Sequence, residues 1–296
     1  MTCGACGHDR LAPRWELTDA SARPVRLSRC RGCGLVQAEP RPSDEELRAY
    51  YARYCYDADA AWEASAATQA SLDRLASLLA PFRRTGFALD VGAGAGDILR
   101  TLRRHGWNAE GSELSTTAAE RLAREGFAVH AGAIQSVPLP RGRYDVVILS
   151  EVIEHLPAPR EALAAAAAAL RPGGAVYLTT PNFGSLSRRV LGTRWRPIEV
   201  PEHLFYFDGA SLRRLLVALR LRPLRIWTDG LNPYALWGGL RGGRDPEVLR
   251  EGVQQAEALR ARAVRSPFWR GVKASASAGL RVLRLGDTLK ALAERT

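Results

Sequence analysis

Residue types able to do chemistry gather first in the stretch Phe87–Leu99 of this 296-residue chain. An apolar, strand-like run ends on Asp90 and Val91 and meets Gly92, Gly94 and Gly96 at alternate positions, with Ala93 among them and a helix-forming run directly behind. Glycines there let the backbone turn sharply and approach a ligand closely, and the helix start aims N–H groups at it. Glu113, about twenty residues on, is spaced to accept hydrogen bonds from ribose hydroxyls. Together they predict a cradle for a nucleoside-bearing cofactor. A dinucleotide fingerprint would put its third glycine where Asp97 stands, a charge ill-suited to a pyrophosphate, so NAD is disfavoured.

Two cysteine pairs form the second chemical signal. Cys3-x-x-Cys6-Gly7 and Cys30-x-x-Cys33-Gly34 each read as a tight knuckle with a trailing glycine, a donor set suited to tetrahedral Zn2+. A zinc ribbon is expected, with a hairpin from Trp15 to Val25 taking up the long spacer between the pairs. Four sulfur ligands leave no open position, so the metal would be structural. Disulfides are the competing reading. No signal peptide precedes Cys3, and nothing else suggests an oxidising compartment, so a cytoplasmic location is expected. Cys55, the remaining thiol, reads as a small buried apolar residue.

Alternating elements must position these groups. After a capping box at Ser43–Glu46 and a helix from about Trp62 to Leu79 come the strand at 87–91, a strand edge at Val129–His130 and the apolar run Tyr144–Ser150. An alanine-rich helix from Arg160 to Leu170 is expected to stop at Arg171-Pro172-Gly173-Gly174. Strands at Ala175–Thr180 and Leu224–Thr228, with a helix at Ser211–Leu219 between them, continue the alternation. The pattern predicts an α/β, doubly wound, Rossmann-like parallel sheet.

The acidic residue followed by three glycines at alternate positions resembles motif I of the class I S-adenosylmethionine-dependent methyltransferases. Glu154-His155-Leu156 after the fourth strand and Arg171–Gly174 before the fifth are similar to the same class. The resemblance covers most of residues 80–230. It implies seven strands with the last antiparallel, supplied here by Asp287–Ala293, and a helical insertion before that strand. It also implies S-adenosylmethionine as cofactor, held by Asp90, Gly92, Ala93, Gly94, Gly96, Glu113, Leu114, Ser150 and Glu151. Where relatives often carry an acidic residue near the adenine, this chain has Ala133-Ile134-Gln135; the contact is expected from backbone at Ala133 and Ile134. The expected division is 1–40 zinc ribbon, 41–80 helical linker, 81–230 methyltransferase core, 231–285 helical insertion and 286–296 final strand.

Methyl transfer from a sulfonium needs aligned reactants and, for a weak nucleophile, a base. Histidine, with an ordinary pKa of about 6.5, is the natural candidate. Of five histidines, His8 belongs to the ribbon, His105 to a helix and His130 to a strand end, all structural in expectation. His155, after the fourth strand at the active-site edge, is expected to open the next helix and to orient Glu151 or the loop, with direct catalysis as its second reading. His203 is the preferred base, because Glu202-His203-Leu204-Phe205-Tyr206-Phe207 resembles a segment of deoxysugar C-methyltransferases, enzymes that also carry an N-terminal zinc module. By that resemblance Glu202 is a polar neighbour and Tyr56 a pocket residue. No counterpart of the large C-terminal domain of those enzymes is expected from these 296 residues, and similar segments occur in methyltransferases of polysaccharide and natural-product pathways.

The formal charge of +11 permits attraction to nucleic acid, anionic lipid or phosphorylated small molecules without choosing among them. The expected substrate is a sugar, a nucleotide-linked sugar or a related small metabolite, methylated on oxygen or carbon. RNA is the alternative partner, disfavoured because no RNA-binding module is recognisable, and a non-catalytic scaffold is the third reading. Segment 231–285 mixes arginine with apolar residues and reads either as a peripheral membrane contact or, preferred, as a lid or dimer face with solvated arginines.

Overall fold

The computed structural model describes residues 2–19, 23–43, 45–47, 65–230, 279–280 and 282–296. The Tyr54–Tyr56 segment and nearly all of the expected 231–285 insertion lie outside the described residues.

In chain order the strands are β1 (Leu11–Thr18), β2 (Pro24–Cys30), β3 (Val36–Glu39), β4 (Phe87–Val91), β5 (Asn108–Glu113), β6 (Ala128–Ala131), β7 (Tyr144–Ser150), β8 (Leu170–Pro181), β9 (Phe205–Tyr206), β10 (Leu221–Asp229) and β11 (Thr288–Arg295). Between them run α1 (Ala66–Leu79), α2 (Asp97–Arg104), α3 (Thr116–Arg124), α4 (Pro159–Ala169), α5 (Leu186–Leu191) and α6 (Gly209–Ala218). They divide into two compact units, Met1–Arg41 with Thr180–Arg213 and Ile226–Lys290, and Pro42–Thr179 with Arg214–Arg225 and Ala291–Thr296. The linear division expected from sequence does not map one to one onto these units, since residues 180–213 group with the N-terminal sheet.

The larger sheet has seven strands in the order β10-β11-β8-β7-β4-β5-β6, with the last strand antiparallel. Pairings β4–β5, β4–β7, β5–β6 and β7–β8 are parallel, so these strands end at one edge. β7 is buried over Tyr144–Leu149, as a strand covered on both faces must be, and its composition is correspondingly apolar. Helix starts follow local chemistry. Ser65 and Ser115 cap α1 and α3 by accepting the N–H groups of Thr68 and Ala118, and Pro159 opens α4, where a missing N–H costs nothing. The alanine stripe Ala162, Ala166 and Ala169 of α4 is buried.

Two expectations are corrected here. α4 stops ahead of Arg171 as expected, but the strand expected at Ala175–Thr180 does not wait for the end of Arg171–Gly174, because β8 begins at Leu170 directly from the helix. The segment enters the sheet as an irregularity in the β7–β8 register, with Gly174 packed so closely on the carbonyls of Tyr144 and Asp145 that a side chain there would meet them at 3.0–3.1 Å. His155 does not open a helix. It lies in a turn ahead of Pro159, where α4 starts.

In the other unit β1, β2, β3 and β9 form a four-stranded sheet. The hairpin expected between the cysteine pairs is β1–β2, in antiparallel register from Leu11↔Cys30 to Thr18↔Pro24. One face packs Val25, Leu27, Val36 and Ala38 against Phe183, Leu191, Trp195, Ile198 and Val200. The cysteine-bearing segment and the loop after β8 thus share one core, which explains why 180–213 groups with it.

Candidate active site

Asp90 and Val91 end β4, and Gly92, Gly94 and Gly96 follow with φ of +68°, +49° and +88°. These left-handed values exclude most side chains, and space is closed as well. A Cβ on Gly92 would come 2.8 Å from Val152 Cγ2, and one on Gly96 would collide with Leu122 Cδ2. The Gly92 and Ala93 N–H groups both donate to the Ser112 carbonyl, at 2.7 and 3.2 Å, bending the chain away from the strand. Gly96 then caps α2.

Glu113 ends β5 beside this turn. Its Oε2 accepts the Gly94 N–H and its Oε1 the Ser115 N–H, each at 2.8 Å. Each carboxylate oxygen has a second lone pair for a ligand hydroxyl. Asp90 is buried, and burial together with the Glu113 charge holds its carboxyl well above the usual carboxylate range. Next to Glu113, Leu114 is 47% exposed, an apolar surface at the mouth of the turn. The Gly132 N–H donates to the Glu113 carbonyl at 2.8 Å, linking the β5 end to the Ala133–Ile134 turn. Ile134 is buried, and the Ala133 carbonyl accepts the N–H groups of Ser136 and Val137.

The β7 end is shaped by β8. Ser150 and Thr179 share a hydroxyl contact of 3.2 Å, and the Glu151 N–H donates to the Thr179 carbonyl at 3.0 Å. Glu151 takes φ +53°, a left-handed conformation that a residue with a Cβ adopts at a cost of roughly 1 kcal/mol. Strain of this kind clusters at functional sites. Asp90, the glycines, Glu113, Leu114, Ala133, Ile134, Ser150 and Glu151 are thereby brought to the carboxyl ends of β4, β5, β6 and β7 in one unit. Ligands of open α/β sheets sit there, at the point where strand order reverses, here between β4 and β7. A turn of positive-φ glycines, the Glu113 acceptors and the exposed apolar side chain of Leu114 fit the methionyl, ribose and adenine parts of S-adenosylmethionine.

A methyltransferase-domain family model matches residues 62–221, more than half of the chain. The chain belongs to the methyltransferase-domain family. Ubiquinone biosynthesis O-methyltransferase from Burkholderia multivorans is 37% identical over 102 residues, covering 32% of this chain and 44% of the relative. The enzyme of that name from Erwinia tasmaniensis is 33% identical over 159 residues, covering 46% and 65%. The chain thus spans 44% to 65% of the length of these curated relatives. The crystal structure of a SAM-dependent methyltransferase from Archaeoglobus fulgidus superposes with a TM-score of 0.50 at 18% identity, over 77% of this chain and 94% of that one, a likeness of fold.

In this methyltransferase domain His155 stands at the β7 end, 3.9 Å from a Glu154 carboxylate oxygen. His203 lies in the other unit, held at several points. Its Nδ1–H donates to the Pro197 carbonyl at 2.6 Å, its own N–H donates to the Glu199 carbonyl at 2.7 Å, and the Tyr206 hydroxyl donates to its carbonyl at 2.9 Å. The first bond fixes the tautomer with the lone pair on Nε2. Burial lowers the His203 pKa below 6.5, and the Pro197 carbonyl and the Glu202 and Glu199 charges only partly oppose it. The imidazole is therefore neutral near pH 7 and able to accept a proton. Glu202 sits beside it in a turn, and Tyr56 lies outside the described residues.

Sulfur atoms of Cys3, Cys6, Cys30 and Cys33 all lie within 4.8 Å of one another in the methyltransferase chain's N-terminal sheet. Cys3 meets Cys33 at 3.5 Å and Cys6 meets Cys30 at 3.6 Å, far beyond the ~2.05 Å of a disulfide. A tetrahedron of ~2.3 Å zinc–sulfur bonds needs sulfurs about 3.8 Å apart, so the donor set fits Zn2+. The thiol of Cys33 holds the Cys3 pKa down, to about 5, toward the thiolate a metal takes.

Asp145 and Arg121 were not singled out by the sequence. The Asp145 carboxylate is fully buried at the start of β7, accepts the N–H groups of Arg84, Thr85 and Gly86 at 2.7–2.8 Å, and pairs with Arg171. An acidic residue inside an apolar strand was the available signal. Arg121 reaches from α3 to the Gly94 carbonyl, and no motif marks it.

Proposed function

We propose that the chain is an S-adenosylmethionine-dependent methyltransferase acting on a sugar, a nucleotide-linked sugar or a related small metabolite, with oxygen or carbon as acceptor. The observation that carries the proposal is the glycine turn, open at φ values only glycine takes readily, with the Glu113 carboxylate bonded to its middle residue. The names of the curated relatives support an oxygen acceptor, and the resemblance around His203 supports a sugar. When bound, the cofactor supplies a methyl group on a sulfonium, already activated for in-line displacement.

The chain's own residues then have four tasks. Glu113 binds the ribose hydroxyls, and the glycine turn admits the methionyl part without steric conflict. Leu114, Ala133 and Ile134 pack against and bond the adenine, and Ser150 and Glu151 border the β7 end. His203 Nε2 receives the proton of the acceptor as its oxygen or carbon attacks, with Glu202 stabilising the imidazolium that results. Zn2+ on the four cysteines holds the N-terminal sheet and does no chemistry, since all its positions are filled by sulfur.

Titration calorimetry with S-adenosylhomocysteine tests the cofactor half: micromolar binding is expected, and a folded, metal-loaded sample giving no heat would sink it. Product analysis with labelled methyl donor and a panel of nucleotide sugars tests the acceptor. The net charge of +11 also permits a competing partner, RNA, without selecting it. Tight RNA binding that weakens steeply with salt would replace the small-molecule reading.

A further inference from the structure

We propose that Arg121 is a positioning residue for the methyl donor, clamping the glycine turn in its binding conformation before the ligand arrives. This rests on the cofactor reading above and adds to it a device that the glycine motif does not contain.

Gly94 is the middle of the turn, and side chains hold both of its backbone polar groups. Its N–H is bonded by Glu113 Oε2 at 2.8 Å, and its carbonyl accepts from Arg121 Nη2 at 2.9 Å. The two side chains are joined through α3. Glu113 Oε1 accepts the N–H of Ser115, the cap of that helix, and α3 carries Arg121 on its far half. Glu113, α3, Arg121 and Gly94 therefore close a ring around one peptide. Two further contacts fix α3 as the backing of this ring. Leu122 fills the space beneath Gly96, and Glu125 at the helix end takes a two-pronged bond from Arg100 of α2, both at 2.8 Å.

Arg121 Nε is shielded from solvent and has no hydrogen-bond partner. Shielding a guanidinium nitrogen without a partner is unfavourable, and a core built for stability alone would use an apolar residue at that point. The compensating gain lies at Gly94. Three glycines in five residues give a turn with high conformational entropy, and a ligand that had to order it would lose affinity. A turn ordered beforehand by Glu113 and Arg121 spares the ligand that loss.

The experiment compares the full-length, metal-loaded chain with Arg121→Met and Arg121→Lys. S-adenosylhomocysteine affinity is read by calorimetry and amide exchange by mass spectrometry over the peptide containing residues 92–97. A charge-assisted hydrogen bond corresponds to about 10- to 100-fold in an equilibrium constant, and for Arg121→Met an increase of about tenfold in Kd is expected. Exchange at 92–97 should rise in the free variant, and saturating ligand should suppress it. Arg121→Lys, which keeps a charge and one donor, should recover part of the affinity. Kd within twofold of wild type in both variants overturns the clamp and leaves the cofactor reading intact. A uniform rise in exchange across α3 and the sheet, with affinity falling only as far as stability does, also overturns it by making Arg121 merely structural. If Arg121→Met does not fold, Arg121→Lys carries the same comparison. A wild-type chain that gives no heat overturns the cofactor reading itself, a result distinct from either.

Discussion

Glu113 Oε2 and the Gly94 amide nitrogen stand 2.8 Å apart, so the acidic residue at the end of β5 is bonded directly to the glycine turn after β4. One carboxylate both shapes the turn and presents acceptors beside it. Glu113→Gln keeps the size but removes the charge and one acceptor. It should weaken S-adenosylhomocysteine binding by about 1.5–3 kcal/mol, the range for bonds to charged groups, while the melting temperature changes little. Calorimetry beside a thermal melt separates the two, and unchanged affinity would remove Glu113 from the ribose role.

His203 should set the acid limb of the pH–rate profile. Burial lowers its pKa, so the neutral, proton-accepting form persists below pH 6.5 and activity is lost only as pH falls through that lowered value. His203→Ala should reduce turnover at least a hundredfold with cofactor affinity nearly unaltered. An acid limb at or above pH 6.5, or full turnover in the alanine variant, would assign the base elsewhere.

Asp145 should be a stability residue rather than a catalytic one. Burial would raise its pKa, but Arg171 and the backbone N–H groups of Arg84, Gly86 and Thr85 hold it below the usual carboxylate range. A depressed folded-state pKa gives stability that is present above the unfolded value of about 3.9 and is lost as pH falls below it. Asp145→Ala leaves Arg171 without its carboxylate and three backbone N–H groups without their acceptor, and should cost about 3–5 kcal/mol. Denaturant unfolding at pH 7 and pH 3 reads both effects; a wild-type-like midpoint at pH 7 would refute the assignment.

Removing metal should unfold the N-terminal sheet and spare the cofactor end. One Zn2+ per chain is expected by atomic absorption, and a chelator should release it more readily at acid pH, because thiolate ligands must take up protons to leave the metal. Cys6→Ser, which removes one of the four sulfur donors, should lower metal content and the melting temperature. Full stability without bound metal would argue against a structural zinc.

The main line of the fold was legible because a parallel strand covered on both faces is predominantly apolar. Tyr144–Ser150 is β7 with the bounds read from sequence, and the two cysteine knuckles flank the hairpin their spacing demanded. The glycine motif worked for a similar reason, since left-handed turns leave a compositional trace. Arg171–Gly174 marked the end of α4 but hid the start of β8, because proline and glycine are poor strand formers and the neighbouring strand accommodates them only as a register irregularity.

By itself, then, the sequence determined the alternating elements, the cofactor turn and the thiol cluster, all properties encoded by residues close together in the chain. Tertiary structure decided the partnerships between distant residues: Asp145 with the turn before β4, Arg121 with Gly94, and the loop at 180–213 with the cysteine-bearing sheet. A local pattern states which side chains prefer burial or a turn. Which donor, some sixty residues away for Asp145, satisfies a buried carboxylate is settled only when packing brings the two together.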